Sequence, residues 1–429
     1  MKKSVFLAVL AIVIGAALFA GGGSQKKGDQ VTLTVWDFKY SEEITGKAFR
    51  EMDELFIAEN PGVVINHVAQ PESNFYQLLM STFVAKNNVD VIIAHADNRT
   101  WNLAGSLEVL DPYITGEIGQ YSAPALKAVS TSQDAARDIR MLPLTAQGLG
   151  FYYNKALFTK AGLNPNTPPS SWGDFLAACE ALKRANIDPI ILGNGGGATF
   201  GIDFTYRAIL GTLYGNRLEG FRNGAANFTD PEFRQATQMI RELYDKGYIN
   251  AENASISYFS DAIDAFKTGK GGFFPGLCSD IAHWKDFGEA LGYENIGYFS
   301  APVAQGAPFP NAQVNQGAGL GMAVVNYGKN KDIAVKYIKF YTSGRGGQIL
   351  MNASGAIVPN STIPVDSNNQ ILASIMDKMN KNGVPDYMTL IPGGMVNDFY
   401  NFQYLYFISK EISLDDYIKN VQELYRNSL

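Results

Sequence analysis

Between residues 31 and 94 strand-like and helix-like segments follow one another without exception, and that order leaves few folds open. Val31-Thr32-Leu33-Thr34-Val35-Trp36 alternates as a half-buried strand does. A helical stretch follows, with Phe49, Met52, Leu55 and Phe56 on one face, until Asn60-Pro61-Gly62 stops it. Val63-Val64-Ile65 resumes a strand, and a second helix carries Phe75, Leu78, Leu79, Thr82 and Phe83. Val89-Asp90-Val91-Ile92-Ile93-Ala94 is a short apolar run suited to a buried parallel strand. Repeated βα units imply an open α/β sheet, whose ligands bind beyond the carboxyl ends of the strands. Two segments lie at such ends, 36–40 and 95–101.

Further along the pattern changes. Helices dominate from about residue 172 to 285, as in Thr229-Asp230-Pro231-Glu232, a helix start followed by Phe233, Ala236, Ile240, Leu243 and Tyr244. Strand signals return at Gly271-Gly272-Phe273-Phe274 and over 319–325. The last third is helical again, with Ile333, Ala334, Tyr337, Ile338 and Tyr341 on one stripe and Ser413 with Asp416 capping a final helix. No internal repeat and no low-complexity linker occurs after residue 30. At 429 residues the chain is long for one ordinary domain, so two lobes are expected to share it, with the backbone passing between them more than once.

The amino terminus reads as a secretory leader. Lys2 and Lys3 precede an apolar run over 5–20, too short to span a bilayer, and Gly21-Gly22-Gly23-Ser24 begins a polar tether. Leu18-Phe19-Ala20-Gly21 resembles the start of a lipoprotein signal, but Gly22 stands where that signal needs Cys. The expected product is therefore exported, periplasmic and free of a lipid anchor. A net charge of −6 without a basic run argues against nucleic acid and anionic membrane partners.

Chemistry-bearing motifs are sparse. GxSxG, HExxH and GxxxxGK[ST] are all missing from the sequence. Two cysteines and three scattered histidines, His67, His95 and His283, lack zinc-ligand spacing, and Cys179 falls on a helical apolar stripe as a core residue. Gly193-Asn194-Gly195-Gly196-Gly197-Ala198 follows an apolar run like a dinucleotide-binding turn, but no strand with a terminal acid arrives about 20 residues on. A flexible loop bordering a cleft is the better reading. Asp203, Asp261, Asp264 and Asp280 could supply a glycosidase carboxylate pair, yet nothing marks two of them as partners.

Several ordered motifs together resemble the extracellular solute-binding proteins of ABC importers, the maltose-binding-protein-like family 1. They are Trp36 closing the first strand and Phe56-Ile57-Ala58-Glu59-Asn60-Pro61-Gly62. Pro143 follows, then Phe151-Tyr152-Tyr153-Asn154-Lys155 and Pro168-Pro169-Ser170-Ser171-Trp172. Ala265-Phe266 with Gly269, then Gly317, Gly319 and Gly321, and Gly355-Ala356-Ile357-Val358-Pro359 complete the set. The resemblance implies an α/β, two-lobed periplasmic-binding-protein fold (type II) with the ligand cleft between the lobes. After a leader (1–20) and tether (21–30), lobe 1 would take 31–145 plus 275–316 and lobe 2 148–272 plus 321–429. Hinge crossings would fall near 145–148, 273–275 and 316–321.

The same resemblance implies a binding protein without catalysis, cofactor or metal, monomeric, capturing a mono- or oligosaccharide and delivering it to permease subunits. An exported glycosidase or a solute sensor for a membrane receptor are the rival readings. Carried over by position, the ligand-binding candidates are Trp36, Lys39 and Tyr40 after the first strand, and Asp97, Asn98 and Trp101 after the strand ending at Ala94. Gln147 in the first crossing, Asp203 near the glycine loop, and Phe399 with Tyr400 in the late aromatic stretch join them. One departure stands out: Gly276-Leu277-Cys278 occupies the place where relatives often have Gly-x-Trp, so a sugar-stacking Trp is missing there, and a smaller sugar, or stacking supplied by Trp36 or Tyr400, is favoured over a long glucan.

Overall fold

A computed structural model describes residues 30–429 except 72–73, 197, 251, 279–281 and 366–368, with the side chains of 133–134 also undescribed. The leader, all but the last residue of the tether, and Asp280 lie outside the described residues.

The first strands are β1 (Val31–Asp37), β2 (Val63–Ala69) and β3 (Val91–His95). A hairpin of β4 (Ser130–Asp134) and β5 (Arg137–Ile139) precedes the short β6 (Leu142–Pro143). The chain continues through β7 (Gly148–Asn154), β8 (Asp188–Ile190), β9 (Gly271–Cys278), β10 (Ile296–Phe299) and β11 (Gln313–Asn315). Last come β12 (Leu320–Val324) and β13 (Gly383–Val384).

They build two separate main sheets. The first has the order β2-β1-β3-β12-β6; the second runs β13-β11-β7-β9-β8, with β10 also paired to β7. The expected βα units are all present in the first lobe: β1 pairs in parallel with both β2 and β3, and β3 is buried from Val91 to Ala94. The helix Ile44–Glu59 lays Phe49, Met52 and Phe56 on this sheet, and the chain leaves it at Asn60 before Gly62 turns at φ 95°. Its core is distinct from the core of the second lobe, where Phe151, Phe175, Cys179 and Phe273 form one cluster and the aromatic-rich face of the helix Phe200–Tyr214 another.

The lobe boundaries differ from the expectation. Residues 275–316 belong with the second lobe, because β9 runs unbroken past Phe273 and stays paired to β7 as far as Cys278 opposite Gly148. Pro275 does not end that strand: the β8 ladder stops opposite Phe273, so the missing N–H falls where that side of β9 has no strand partner. Conversely, β12 inserts antiparallel between β3 and β6, and the helices Lys331–Tyr341 and Gly344–Ser354 bury Tyr337, Tyr341 and Leu350 in the first core.

The crossings therefore lie at 144–147, at 316–319, and between Ile363 of the first core and Ile371 of the second. The first two are bonded to each other, and the first also bonds Ile357, ahead of the third. Gln316 N–H donates to Gln147 O (2.8 Å), Gly319 N–H to Thr145 O (2.8 Å), and Ala146 N–H to Ile357 O (2.6 Å). Gly317, at φ 79°, is glycine for a reason: a Cβ there would meet the Pro124 carbonyl oxygen at 2.2 Å.

A buried charge cluster pins the carboxyl end of β1. The His67 ring, on β2, bonds Asp37 through Nε2 (2.8 Å) and Asp53 through Nδ1 (2.9 Å). Asp53 also accepts the hydroxyls of Tyr337 (2.6 Å) and Tyr341 (2.7 Å), tying two helices to the sheet. Burial works against a charged imidazole, but the hydrogen bonds and charges of Asp37 and Asp53 outweigh it and raise His67 to about 8. A folded pKa above the unfolded value of 6.5 means that this contribution is fully present below pH 6.5 and lost as pH rises through about 8. Urea melts should thus show the intact protein losing about 2 kcal/mol across that window, and His67→Gln losing none of it there. A pH-independent difference between the two would remove the charged imidazole from the account.

Candidate functional site: a cleft between the lobes

The carboxyl end of β3 is where the first lobe offers side chains to a ligand. Asp97 caps the short helix Asn98–Trp101, its Oδ1 accepting the Arg99 backbone N–H (2.9 Å), while the Arg99 guanidinium pairs with Oδ2 at 2.6 Å. Burial alone would raise the Asp97 carboxyl; the Arg99 hydrogen bonds and charge override it and hold it below the usual carboxylate range. From this turn Asp97, Asn98 and Trp101 face a cavity of about 490 Å³, and Pro124 and Lys127 of the helix Ala123–Ala128 extend the same wall.

The opposite wall comes from the second lobe. Glu219 and Arg222 of the 3₁₀ turn Gly215–Arg222, Asn315 and Gln316 at the start of the second crossing, and Asp386 after β13 line it. Contacts already bridge the two walls. Lys127 Nζ donates to Glu219 Oε1 at 2.6 Å, and Asn98 Nδ2 to the Ile391 carbonyl at 3.4 Å. A volume of this size suits a small organic ligand, and a lining that mixes apolar side chains with several amide and carboxylate groups suits one that carries both hydroxyls and apolar faces.

Asp386 is set by a network behind the wall. It is almost fully buried, takes the Met388 N–H on Oδ1 (3.0 Å), and on Oδ2 takes Arg207 Nη1 (3.0 Å) and the Gln316 amide. Arg207 in turn donates through Nε to Asp203 Oδ2 (2.7 Å), and the Tyr387 hydroxyl donates to Asp203 Oδ1 (3.0 Å). Burial pushes Asp203 up against the pull of Arg207, while the two carboxylates keep the guanidinium charged despite its own burial.

Only three of the ten candidates read from sequence, Asp97, Asn98 and Trp101, are among the residues lining this cavity. Trp36, Lys39 and Tyr40 lie at the neighbouring end of β1, turned to other partners. Lys39 Nζ bonds Glu42 (2.9 Å), Tyr40 stacks on the His67 ring at 3.9 Å, and Trp36 packs half-buried on the first core. Gln147 sits half-buried in the first crossing, its carbonyl bonded to Gln316 and its side chain beside Gly319.

Two candidates must be corrected. Asp203 is fully buried beneath Asp386 and supports the wall through Arg207 instead of lining it. Phe399 is fully buried too, against Phe228 and Tyr387, because the helix Val396–Gln403 turns that face inward. Tyr400 beside it is nearly buried, edge-on to Phe200 at 5.7 Å. Sequence reasoning missed Lys127, Glu219, Arg222, Gln316 and Asp386. Asp386 alone carried a signal, a Pro-Asp pair directly after a strand-like Gly-Val and before an Asp-capped turn.

Residues 40–347 match the model of the bacterial extracellular solute-binding proteins. The chain belongs to that family. A chitin oligosaccharide binding protein of known structure shares its fold with a TM-score of 0.76 at 21% identity, over 94% of this chain and 99% of that one. The multiple sugar-binding protein of Streptococcus mutans is 24% identical over 385 residues, 86% of this chain and 85% of its own. A putative binding protein of Brucella abortus is 26% identical over 341 residues, 77% of this chain and 75% of its own. The two-lobed, type II architecture of the family is the one described above. Among the described residues no helix is long and apolar enough to cross a membrane.

Removing the cation of the Asp203–Arg207–Asp386 set would leave two buried carboxylates with no counter-charge. Arg207→Met is expected to cost about 3–5 kcal/mol of stability in chemical unfolding, more than Asp203→Asn, which leaves Asp386 paired. Equal losses would show that the three groups do not act as one set.

Proposed function

We propose that this protein is the substrate-binding component of an ABC importer, holding a carbohydrate between its lobes and presenting it to the permease without altering it. The observation that supports this most is a cavity walled by both lobes and floored by a crossing segment. A guest seated there touches both halves at once only when they are together. Its contact energy then favours the closed form over the open one, which is what a capture-and-delivery cycle requires. Trp101 offers a flat apolar face for the C–H side of a sugar ring, and Asn98, Asn315 and Gln316 offer amide donors and acceptors for its hydroxyls.

Family membership favours the same role, and the sugar-binding names of relatives favour that ligand class. Cys278, where a stacking Trp is common in relatives, is buried in the second core, which favours a short sugar over a long glucan. The described cavity has no acid pair marked out for glycosidic cleavage: each of its carboxylates is bonded to a cation of the protein. Asp97, Asn98 and Trp101 are proposed as direct ligand contacts, with Gln147 at the hinge as a fourth.

A thermal-shift screen over mono- and oligosaccharides, followed by calorimetry and recovery of the sugar, tests the reading. A saturable rise in Tm with the sugar recovered intact is expected; hydrolysed product would end the binding-only claim. For the best sugar found, Trp101→Ala should weaken affinity about tenfold or more, the scale of a lost aromatic platform. Phe399→Leu should instead lower Tm through lost core volume and leave affinity as it was. If the two variants exchanged phenotypes, the ligand would have to be placed elsewhere.

A further inference from the structure

Five charged side chains line the cavity among the described residues, Asp97, Lys127, Glu219, Arg222 and Asp386. Each is already engaged by an opposite charge of the protein. Asp97 holds Arg99 and Asp386 holds Arg207, as described. Glu219 takes both cations that line the cleft, and they arrive from different lobes. Lys127 of the first lobe reaches Oε1 at 2.6 Å, and Arg222 of the second lies 3.9 Å from Oε2. With their partners Arg99, Asp203 and Arg207 counted, four acids face four bases, so the site carries no net formal charge.

Glu219 thus stands where an anionic group of a solute would have to stand. A phosphate or carboxylate entering between the lobes would look for Lys127 on one side and Arg222 on the other, and would find a carboxylate between them. It would have to displace that carboxylate from a cation or approach it as a like charge, at a cost that a hydroxyl does not meet. Lys127, Glu219 and Arg222 are each more than a third exposed, so water weakens the pairing without abolishing the sign of the preference.

We infer that Glu219 is the specificity-determining residue that reserves this cavity for uncharged polyhydroxyl solutes, acting as a built-in anion that shuts out phosphate esters and carboxylates. This rests on the proposed role as a solute-capture protein and adds the charge class of its solute and the side chain that sets it.

The test is a gain of binding in the full-length protein. Calorimetric titration with sn-glycerol 3-phosphate in low-salt buffer should give no saturable heat with the intact protein. Glu219→Gln should bind the ester at least about tenfold more tightly than the intact protein does, and added salt should weaken that binding as it screens Lys127 and Arg222. Lys127→Met placed on top of Glu219→Gln should abolish it again. Glu219→Ala serves as a second variant should the Gln amide bond Lys127 in the carboxylate's stead.

Saturable binding of the ester by the intact protein overturns the inference. So does a failure of both Glu219 variants to gain it, or equal gain for plain glycerol, which would show that charge is not what was released. A negative sugar screen with the intact protein would strike the carbohydrate reading alone, since the ester titrations report on Glu219 without any sugar.

Discussion

The backbone bonds that fasten the crossing segments to each other are what the rest of the molecule depends on. Gln147 with Gln316, Thr145 with Gly319, and Ala146 with Ile357 make one narrow strip out of two crossings and the segment at Ile357, three stretches distant in sequence. A single flexible passage would let the lobes wander. Two crossings bonded edge to edge and braced at Ile357 restrict them to rotation about the strip, and a ligand cavity beside it opens or shuts as they turn. The Gly317 turn packed on the Pro124 carbonyl anchors the strip to the first lobe's cavity wall. Sheet order follows from the same constraint, since β12 can join β3 only if the chain returns to the first lobe directly after β11.

Each lobe also has one buried electrostatic device at a strand end. In the first, two carboxylates, Asp37 and Asp53, clamp one imidazole; in the second, Asp203 and Asp386 clamp one guanidinium. In both, one of the two acids also accepts backbone N–H groups of the loop that follows: Lys39 and Tyr40 on Asp37, and Met388 on Asp386. The buried charge thus fixes the loop after a strand, which in the second lobe lines the cavity and in the first lies at the strand end neighbouring the one that does. A loop ordered in advance leaves less conformational entropy for a ligand to remove.

What could be read from the sequence divides along the same line between local and non-local physics. The run from β1 to β3 and its helices was legible because apolar spacing and turn residues report local periods, and Asp97, Asn98 and Trp101 followed because they adjoin a strand end. Lobe membership of 275–354 was not legible. It depends on which strand β9 and β12 lie beside, and both strands are apolar on both faces, so nothing in their pattern marks a sheet. Glu219 and Lys127 were hidden for a similar reason, each lying on a short turn or helix that meets the other only after both lobes have folded. Phe399 was misjudged as a ligand contact although its own spacing held the answer: Phe399, Gln403, Tyr406 and Phe407 recur at helical intervals and all are buried.

The contacts that already cross the cleft set how much work remains for a ligand. Carrying an open–closed equilibrium from 1:99 to 99:1 needs about 5.5 kcal/mol of differential contact. An exposed ion pair such as Lys127 with Glu219 supplies at most about 1 kcal/mol of that, and the Asn98 bond to the Ile391 carbonyl is long at 3.4 Å. These bridges are too weak to shut the protein alone, so an empty cleft is free to reopen. Yet they are sufficient to orient the walls, with Glu219 drawing Lys127 and Arg222 to one point on the rim. Holding power is therefore left to the rest of the cavity wall, Trp101 from the first lobe with Asn315 and Gln316 at the second crossing, which a guest meets together only when it reaches both sides.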